Sequence, residues 1–155
     1  MSDNRLKLMG KNHSDELYTP DSCFDLLAPF IPKDSLIFEC AEGSGKLRDY
    51  ISKCGFNVFG SADFFNEFPN YDIIITNPPY SIKDKFLAEA YKRGKPFAFL
   101  LPITALEGQK RQALYKKFGI EILFPLKRTD FNGKGSPWFY TAWFCWKLLP
   151  KELNF

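Results

Sequence analysis

Short apolar runs alternate with longer amphipathic stretches along most of the chain. The apolar runs have the length and composition of buried strands, and they span residues 35–40, 56–60, 71–76, 96–101, 120–124 and 138–148. The amphipathic stretches predict helices at residues 20–29, 46–54, 82–92 and 104–117. Strands that alternate with helices favour parallel βαβ units. We therefore predict an α/β fold with a doubly wound, mostly parallel, Rossmann-like sheet and helices on both faces.

The same pattern sets the expected domain boundaries. Residues 1–16 are polar and aperiodic, which predicts a flexible tail. Residues 17–150 are expected to form a single domain, because 155 residues are too few for two ordinary cores, and residues 151–155 are expected to form a second tail. Thr19-Pro20-Asp21 predicts a helix start, with Thr19 as the N-cap and Pro20 at the first helical position.

Composition adds an aromatic excess and a weak positive charge to this picture. The chain has 17 Phe, 7 Tyr and 3 Trp residues, and some of these rings are expected to be available for stacking on a planar ligand. The formal net charge of +3 permits nucleic acid as a partner without requiring it. Many of the basic residues fall in the second half of the chain, between Lys83 and Lys134.

Histidine and cysteine usage argues against several kinds of site. The four cysteines form no C-x-x-C pair and His13 is the only histidine, so we expect no metal site and no histidine-based catalytic triad. Reduced thiols are typical of a cytoplasmic protein, which is the location we expect. No apolar run is long enough to cross a bilayer, and residues 1–12 lack the apolar stretch of a secretory signal, so no membrane partner is expected.

The segment Asn77-Pro78-Pro79-Tyr80 follows the clearest predicted strand and has specific chemical capacity. Two prolines stiffen the backbone and leave carbonyl groups free as acceptors. The Asn77 amide and the Pro78 carbonyl can accept the two hydrogens of a planar NH₂ group, while the Tyr80 ring stacks beneath it. Such acceptors favour a tetrahedral nitrogen, whose lone pair can attack, over the delocalised ground state.

A second candidate segment, Glu42-Gly43-Ser44-Gly45, follows the predicted strand 35–40. Its glycines predict a tight turn into the next helix. The carboxyl ends of parallel strands share one edge of a sheet, and open α/β sheets bind ligands at that edge. Both unusual segments are therefore expected on the ligand-binding edge.

These motifs together resemble the class I S-adenosylmethionine-dependent amino-methyltransferases with an NPPY motif, best known as DNA and RNA N6-adenine methyltransferases, including short phage and bacterial members. Residues 72–80 (DIIITNPPY) resemble the catalytic motif, and residues 38–45 (FECAEGSG) resemble the glycine-rich first motif. Tyr18-Thr19-Pro20 resembles the N-terminal cofactor element, and Asp63-Phe64-Phe65 resembles the motif that meets the adenine of the cofactor. The resemblance covers roughly residues 17–147.

The resemblance implies a role for each matching residue. S-adenosyl-L-methionine would be the cofactor and N6 of adenine in DNA or RNA the acceptor, with residues 77–80 as the catalytic loop. The residues implied in cofactor binding are Tyr18, Thr19, Glu39, Ala41, Gly43, Gly45, Asp63 and Phe64. Lys134, Trp138 and Phe139 lie in a later loop and are candidates for supporting a flipped base.

The chain departs from the family pattern after its second predicted strand. The family has one acid for the cofactor ribose and a later one for the adenine, whereas residues 59–65 (FGSADFF) offer Asp63 alone. The edge strand between these two acids is expected to be missing. No target-recognition domain is evident, so the substrate would be single-stranded or flipped nucleic acid, or a target delivered by a protein partner.

Two other functions remain open at this point. The nitrogen of a glutamine amide also has a delocalised lone pair and needs the same two acceptors before it can attack. A protein glutamine methyltransferase is therefore an alternative. Residues 59–65 offer one acid where the family has two. The chain could therefore also be a methyltransferase-like protein that binds a cofactor or a partner and no longer transfers methyl groups.

Overall fold

The computed structural model of the chain describes residues 19–133, 135, 137 and 139–155, and seven strands of these residues form one sheet. The strands are β1 (Leu36–Glu39), β2 (Asn57–Gly60), β3 (Ile73–Thr76), β4 (Phe97–Pro102), β5 (Glu121–Leu123), β6 (Thr141–Trp146) and β7 (Leu153–Asn154). The α-helices of the same residues are α1 (Asp21–Leu27), α2 (Lys46–Lys53), α3 (Lys83–Arg93) and α4 (Gln109–Phe118). Short 3-10 turns occupy Ala28–Phe30, Tyr80–Ile82 and Ile103–Leu106.

The strand order is β2-β1-β3-β4-β6-β5-β7. Strands β2, β1, β3 and β4 are mutually parallel, β6 runs antiparallel to both of its neighbours, and β7 is parallel to β5. The predicted doubly wound, mostly parallel α/β sheet is confirmed. In the described residues no strand lies outside β2, and residues 61–72 connect β2 to β3 without a helix, which agrees with the expected loss of one edge strand.

The side chains of strands β1 and β3–β6 alternate between two apolar cores, one on each face of the sheet. Ile73 and Ile75 of β3 face the core that α1 and α2 cover, and Ile74 faces the core beneath α3 and α4. Helix α1 is also fixed by a buried hydrogen bond, in which Trp143 Nε1 donates to the Cys23 carbonyl at 2.8 Å. Among the described residues, no helix has both the length and the apolar content that a membrane span requires.

The chain end differs from the expected tail at 151–155. Residues 153 and 154 form strand β7 beside β5, and Asn154 is buried. The Glu121 carboxylate holds the preceding turn by accepting hydrogen bonds from the backbone N–H groups of Lys147, Leu148 and Leu149 at 3.0, 3.0 and 2.6 Å. These contacts join positions far apart in the sequence, so the local pattern of residues 151–155 does not reveal them.

Two helix starts also differ from the predictions. The expected N-cap at Thr19 is wrong, because α1 begins at Asp21 and Pro20, in an extended conformation, occupies the N-cap without a side-chain hydrogen bond. The predicted helix 104–117 is split into the 3-10 turn at Ile103–Leu106 and helix α4.

Several predicted strands are shorter in the structure. The largest difference is at residues 138–148, where the strand is Thr141–Trp146.

Candidate active site

The candidate site lies where the carboxyl ends of β1 and β3 meet. The chain runs outward from β1 to the edge strand β2 and then returns to β3 on the other side of β1. This reversal creates the switch point at which open α/β sheets bind their ligands. Glu39 is the last residue of β1 and Asn77 directly follows β3, so both unusual sequence segments belong to this edge.

The segment 77–80 forms a stiff turn between β3 and α3. Pro78 and Pro79 are buried, whereas Asn77 and Tyr80 are partly exposed. Ile82 N donates to the Pro79 carbonyl at 3.2 Å and fixes the turn. Within the described residues the Pro78 carbonyl accepts no hydrogen bond, so this acceptor is available to a ligand.

The Phe139 side chain, from the long connection between β5 and β6, reaches this turn. Its ring meets the Tyr80 ring edge to face, with 6.3 Å between the centroids, and is parallel to the Phe131 ring at 5.8 Å. The connection is shaped by Asp130, whose carboxylate accepts hydrogen bonds from Gly133 N at 3.0 Å and Gly135 N at 2.7 Å. Lys134 and Trp138, the other two residues predicted to contact substrate, lie outside the described residues.

The glycine-rich segment makes the tight turn that its sequence predicts. Gly43 and Gly45 have φ values of +51° and +81°, which L side chains rarely adopt. Gly45 N donates to the Glu42 carbonyl at 2.7 Å, and α2 begins at the next residue. The turn therefore brings the positive end of α2 close to the end of β1.

The Glu39 carboxyl group is buried in this turn, with 2% of the residue exposed. Ala41 N donates to its Oε1 at 3.0 Å. Burial raises the pKa of Glu39 to about 7, and the hydrogen bond from the Ala41 N–H limits the rise. A carboxyl group with this pKa changes its charge near neutral pH and favours a cationic partner.

Asp63 lies in the connection between β2 and β3, where it begins a short turn. Its carboxylate accepts a hydrogen bond from Asn66 Nδ2 at 2.9 Å, and its backbone carbonyl accepts from Asn66 N and Glu67 N. The carboxylate is partly exposed, so it remains accessible to a ligand while it also stabilises the turn.

The structure corrects the role expected for the Phe64 ring. Phe64 is 1% exposed and belongs to the core beneath α3. Its ring stacks on Phe86 with 5.3 Å between the centroids, and the Arg93 guanidinium lies 4.1 Å from its centre. A ring enclosed in this way cannot also stack on the adenine of a cofactor. The neighbouring Phe65 is partly exposed and is the better placed of the two rings.

The N-terminal cofactor element is described only in part. Tyr18 lies outside the described residues, and Thr19 makes no hydrogen bond to another described residue. A cavity of about 410 Å³ lies between the start of α1 and the segment 125–130, and its lining includes Pro20, Cys23, Thr129 and Trp143. None of the predicted site residues lines this cavity.

Thiol and metal chemistry find little support in the part of the chain that is described. Burial raises the pKa of the Cys40 and Cys145 thiols well above the usual range, so neither is an activated nucleophile. Across residues 19–133 and 139–155, no three His, Cys, Asp or Glu side chains come close enough together to hold a metal ion.

One charged residue of the glycine-rich turn is absent from the sequence-based set of site residues. The Glu42 carboxylate forms an ion pair with Arg48 and lies against Gly60 at the end of β2. The sequence contained one indication of a role for Glu42, because it is a charged residue in a turn that otherwise consists of small residues. Nothing local indicated that its carboxylate would reach the next strand.

Comparisons with known proteins identify the fold. The chain matches no model of a known protein family, and a search of curated proteins finds no match. Similar solved structures include a dimethyladenosine transferase from Plasmodium falciparum, with a TM-score of 0.55, 15% identity, and coverage of 88% of this chain and 63% of that chain. Another is a TehB-like SAM-dependent methyltransferase from Corynebacterium glutamicum, with a TM-score of 0.48, 15% identity, and coverage of 92% of this chain and 96% of that chain.

The chain therefore spans about 63% of the length of the dimethyladenosine transferase that it resembles. At 15% identity, that likeness concerns the fold and not the activity. The chain has a Rossmann-like α/β fold, which it shares with the dimethyladenosine transferase.

Proposed function

We propose that this protein transfers a methyl group from S-adenosyl-L-methionine to an amino nitrogen, namely N6 of adenine in DNA or RNA. The observation that carries the proposal is the position of the segment 77–80 at the switch point of the sheet, with the Phe139 ring against Tyr80. The methyltransferase fold supports the same conclusion.

The catalytic loop would act by binding the amino group that receives the methyl group. The Pro78 carbonyl accepts no hydrogen bond from the described residues, and the Asn77 amide oxygen supplies a second acceptor on the same turn. Two acceptors arranged around a tetrahedral nitrogen stabilise the transition state more than the planar ground state. The buried prolines keep these acceptors in place, so little reorganisation is needed during the reaction.

The residues at the end of β1 fit the cofactor in charge and shape. The buried Glu39 carboxyl group is suited to a cationic group such as the ammonium of the methionine moiety. The left-handed turn at Gly43 and Gly45 keeps side chains out of the space above β1. Asp63, Ala41, Thr19 and Tyr18 remain candidate contacts. The cofactor, when bound, supplies an activated methyl group attached to a sulfonium.

The aromatic pair favours a planar heterocycle as the acceptor. The Tyr80 and Phe139 rings come from separate loops and meet beside the catalytic acceptors, which suits an extruded base. Lysines and arginines of the second half would contact phosphates. Lys134 and Trp138 remain candidates for supporting the flipped base. A single-stranded substrate avoids the cost of unpairing, and a duplex target would require a protein partner that recognises the sequence.

The test is a transfer assay with tritiated cofactor and three acceptors: single-stranded DNA, single-stranded RNA and a cell-free protein extract. Label in an adenine-containing nucleic acid is the expected result, and oligonucleotides without adenine should remain unlabelled. Label that appears only in the protein fraction would replace this proposal with a glutamine methyltransferase.

A further inference from the structure

The end of β2 presents no carboxylate of its own. Nucleotide-binding α/β sheets commonly hold the ribose hydroxyls with an acid near the second strand, because a carboxylate can accept hydrogen bonds from both hydroxyls. Here β2 ends in Phe59-Gly60, and the nearest following acid is Asp63. The Asp63 carboxylate already accepts a hydrogen bond from Asn66 in the turn that it begins.

A carboxylate nevertheless lies at this position, and it comes from the neighbouring loop. A Cβ atom at Gly60 would lie 2.7 Å from Cδ of Glu42 and closer still to its Oε2. The carboxylate of Glu42 therefore lies directly against the last residue of β2. Gly60 is required for this contact, because any larger residue would displace the Glu42 side chain.

Backbone and side-chain contacts hold Glu42 in this position. Glu42 N donates to the Ser61 carbonyl at 3.2 Å, which ties the glycine-rich turn to the residue after β2. Arg48, in the first turn of α2, forms an ion pair with Oε2. Oε1 accepts no hydrogen bond within the described residues, and the side chain is 24% exposed, so this oxygen is available to a ligand.

We propose that Glu42 binds the ribose hydroxyls of the adenosyl cofactor and replaces the acid that β2 lacks. This inference rests on the proposed function, since it names a contact of the same cofactor site. Arg48 acts as a positioning residue, because its ion pair with Oε2 orients the carboxylate. Glu39 would then bind the amino-acid end of the cofactor, and Asp63 would be left for the adenine side.

The competing explanation is that the ion pair between Glu42 and Arg48 only stabilises the start of α2. Calorimetric titration with two ligands separates the explanations: S-adenosylhomocysteine, and the same compound without its two ribose hydroxyls. The variants are Glu42→Gln, which keeps the shape of the side chain, and Gly60→Ala, which displaces it. Asp49→Asn is the matched control, because Asp49 is a second carboxylate beside the Arg48 guanidinium, at 3.4 Å, and is largely exposed.

We expect Glu42→Gln and Gly60→Ala to weaken S-adenosylhomocysteine binding at least about tenfold, and Asp49→Asn to change it less than about twofold. The analogue without hydroxyls should bind the wild type and Glu42→Gln equally. Equal binding of S-adenosylhomocysteine to the wild type and Glu42→Gln would overturn the inference, as would an equal loss for both ligands. Absence of binding by the folded wild type would instead overturn the proposed function, and the inference with it.

Discussion

The rings of Tyr80 and Phe139 meet edge to face, with 6.3 Å between their centroids, although they belong to distant parts of the sequence. Tyr80 ends the segment 77–80, and Phe139 lies near the end of the loop that Asp130 shapes. The pair joins the loop after β3 to the loop before β6 and gives the candidate site an aromatic wall.

Replacement of Asn77 should separate catalysis from cofactor binding. We expect Asn77→Ala to lower kcat by about 10²–10³-fold, which corresponds to roughly 3–4 kcal/mol for the loss of one preorganised polar group. Cofactor affinity, measured by calorimetry, should remain close to that of the wild type, because in the proposed mechanism the amide contacts the acceptor amine and not the cofactor. Methyl transfer at the wild-type rate would show that the loop has a structural role only.

Replacement of Phe139 should affect the nucleic acid substrate and leave the cofactor unaffected. Base–aromatic stacking is worth about 1–3 kcal/mol, so Phe139→Ala should raise KM for the nucleic acid about tenfold or more. Phe155→Ala is the control, because that ring is 94% exposed and stacks on Phe124 at the edge of the sheet. Steady-state kinetics with an oligonucleotide measures KM for the Phe139→Ala variant and for the Phe155→Ala control. Equal KM values for the wild type and Phe139→Ala would remove Phe139 from the substrate site.

The buried Glu39 should make stability depend on pH. Its pKa rises from 4.5 to about 7 on folding, so the folded state holds this proton more tightly than the unfolded state. The resulting contribution to stability is fully present below about pH 4.5 and is lost as the pH rises through 7.

Glu39→Gln should therefore raise the free energy of unfolding at pH 8 by up to about 3 kcal/mol and have little effect near pH 4.5. Urea denaturation at the two pH values measures this difference. The exposed Glu67→Gln variant serves as the control and should follow the wild type at both. A Glu39→Gln effect that is the same at both pH values would contradict the assigned titration.

Glu121 should be important for the stability of the chain end. Its carboxylate accepts hydrogen bonds from three backbone N–H groups in the turn before β7. Glu121→Ala should therefore lower the free energy of unfolding by roughly 2–4 kcal/mol. Glu152→Ala, at an exposed side chain beside the same strand, should change it by less than about 0.5 kcal/mol. Urea denaturation of both variants tests the difference, and equal stability would contradict the role of Glu121.

The sequence was sufficient for the main architecture, because its signals are local. The continuous apolar run at Ile73–Thr76 and the glycines of the 43–45 turn each specify their own backbone. Strand β7 is different. It has two residues, and it is held by Ile122 and by the turn that Glu121 orders, so no local periodicity reveals it.

The sequence also did not predict in which direction side chains point in irregular loops. Phe64 and Phe65 are adjacent and chemically identical, and both contact Phe86. Phe64 is the buried one because it also packs against Phe38 and Arg93. The contact of Glu42 with Gly60 joins the glycine-rich turn after β1 to the end of β2. Such contacts depend on the relative position of β1 and β2, which hydrophobic periodicity does not encode.

The most direct test of the central claim is the chemical identity of the product. A single-stranded oligonucleotide with one adenine is incubated with the protein and S-adenosyl-L-methionine, digested to nucleosides and analysed by mass spectrometry. We predict N6-methyladenine as the product in the wild-type reaction, formed about 10²–10³-fold more slowly with Asn77→Ala. Unmethylated adenine after incubation of DNA and RNA oligonucleotides with a protein that demonstrably binds the cofactor would contradict the assignment.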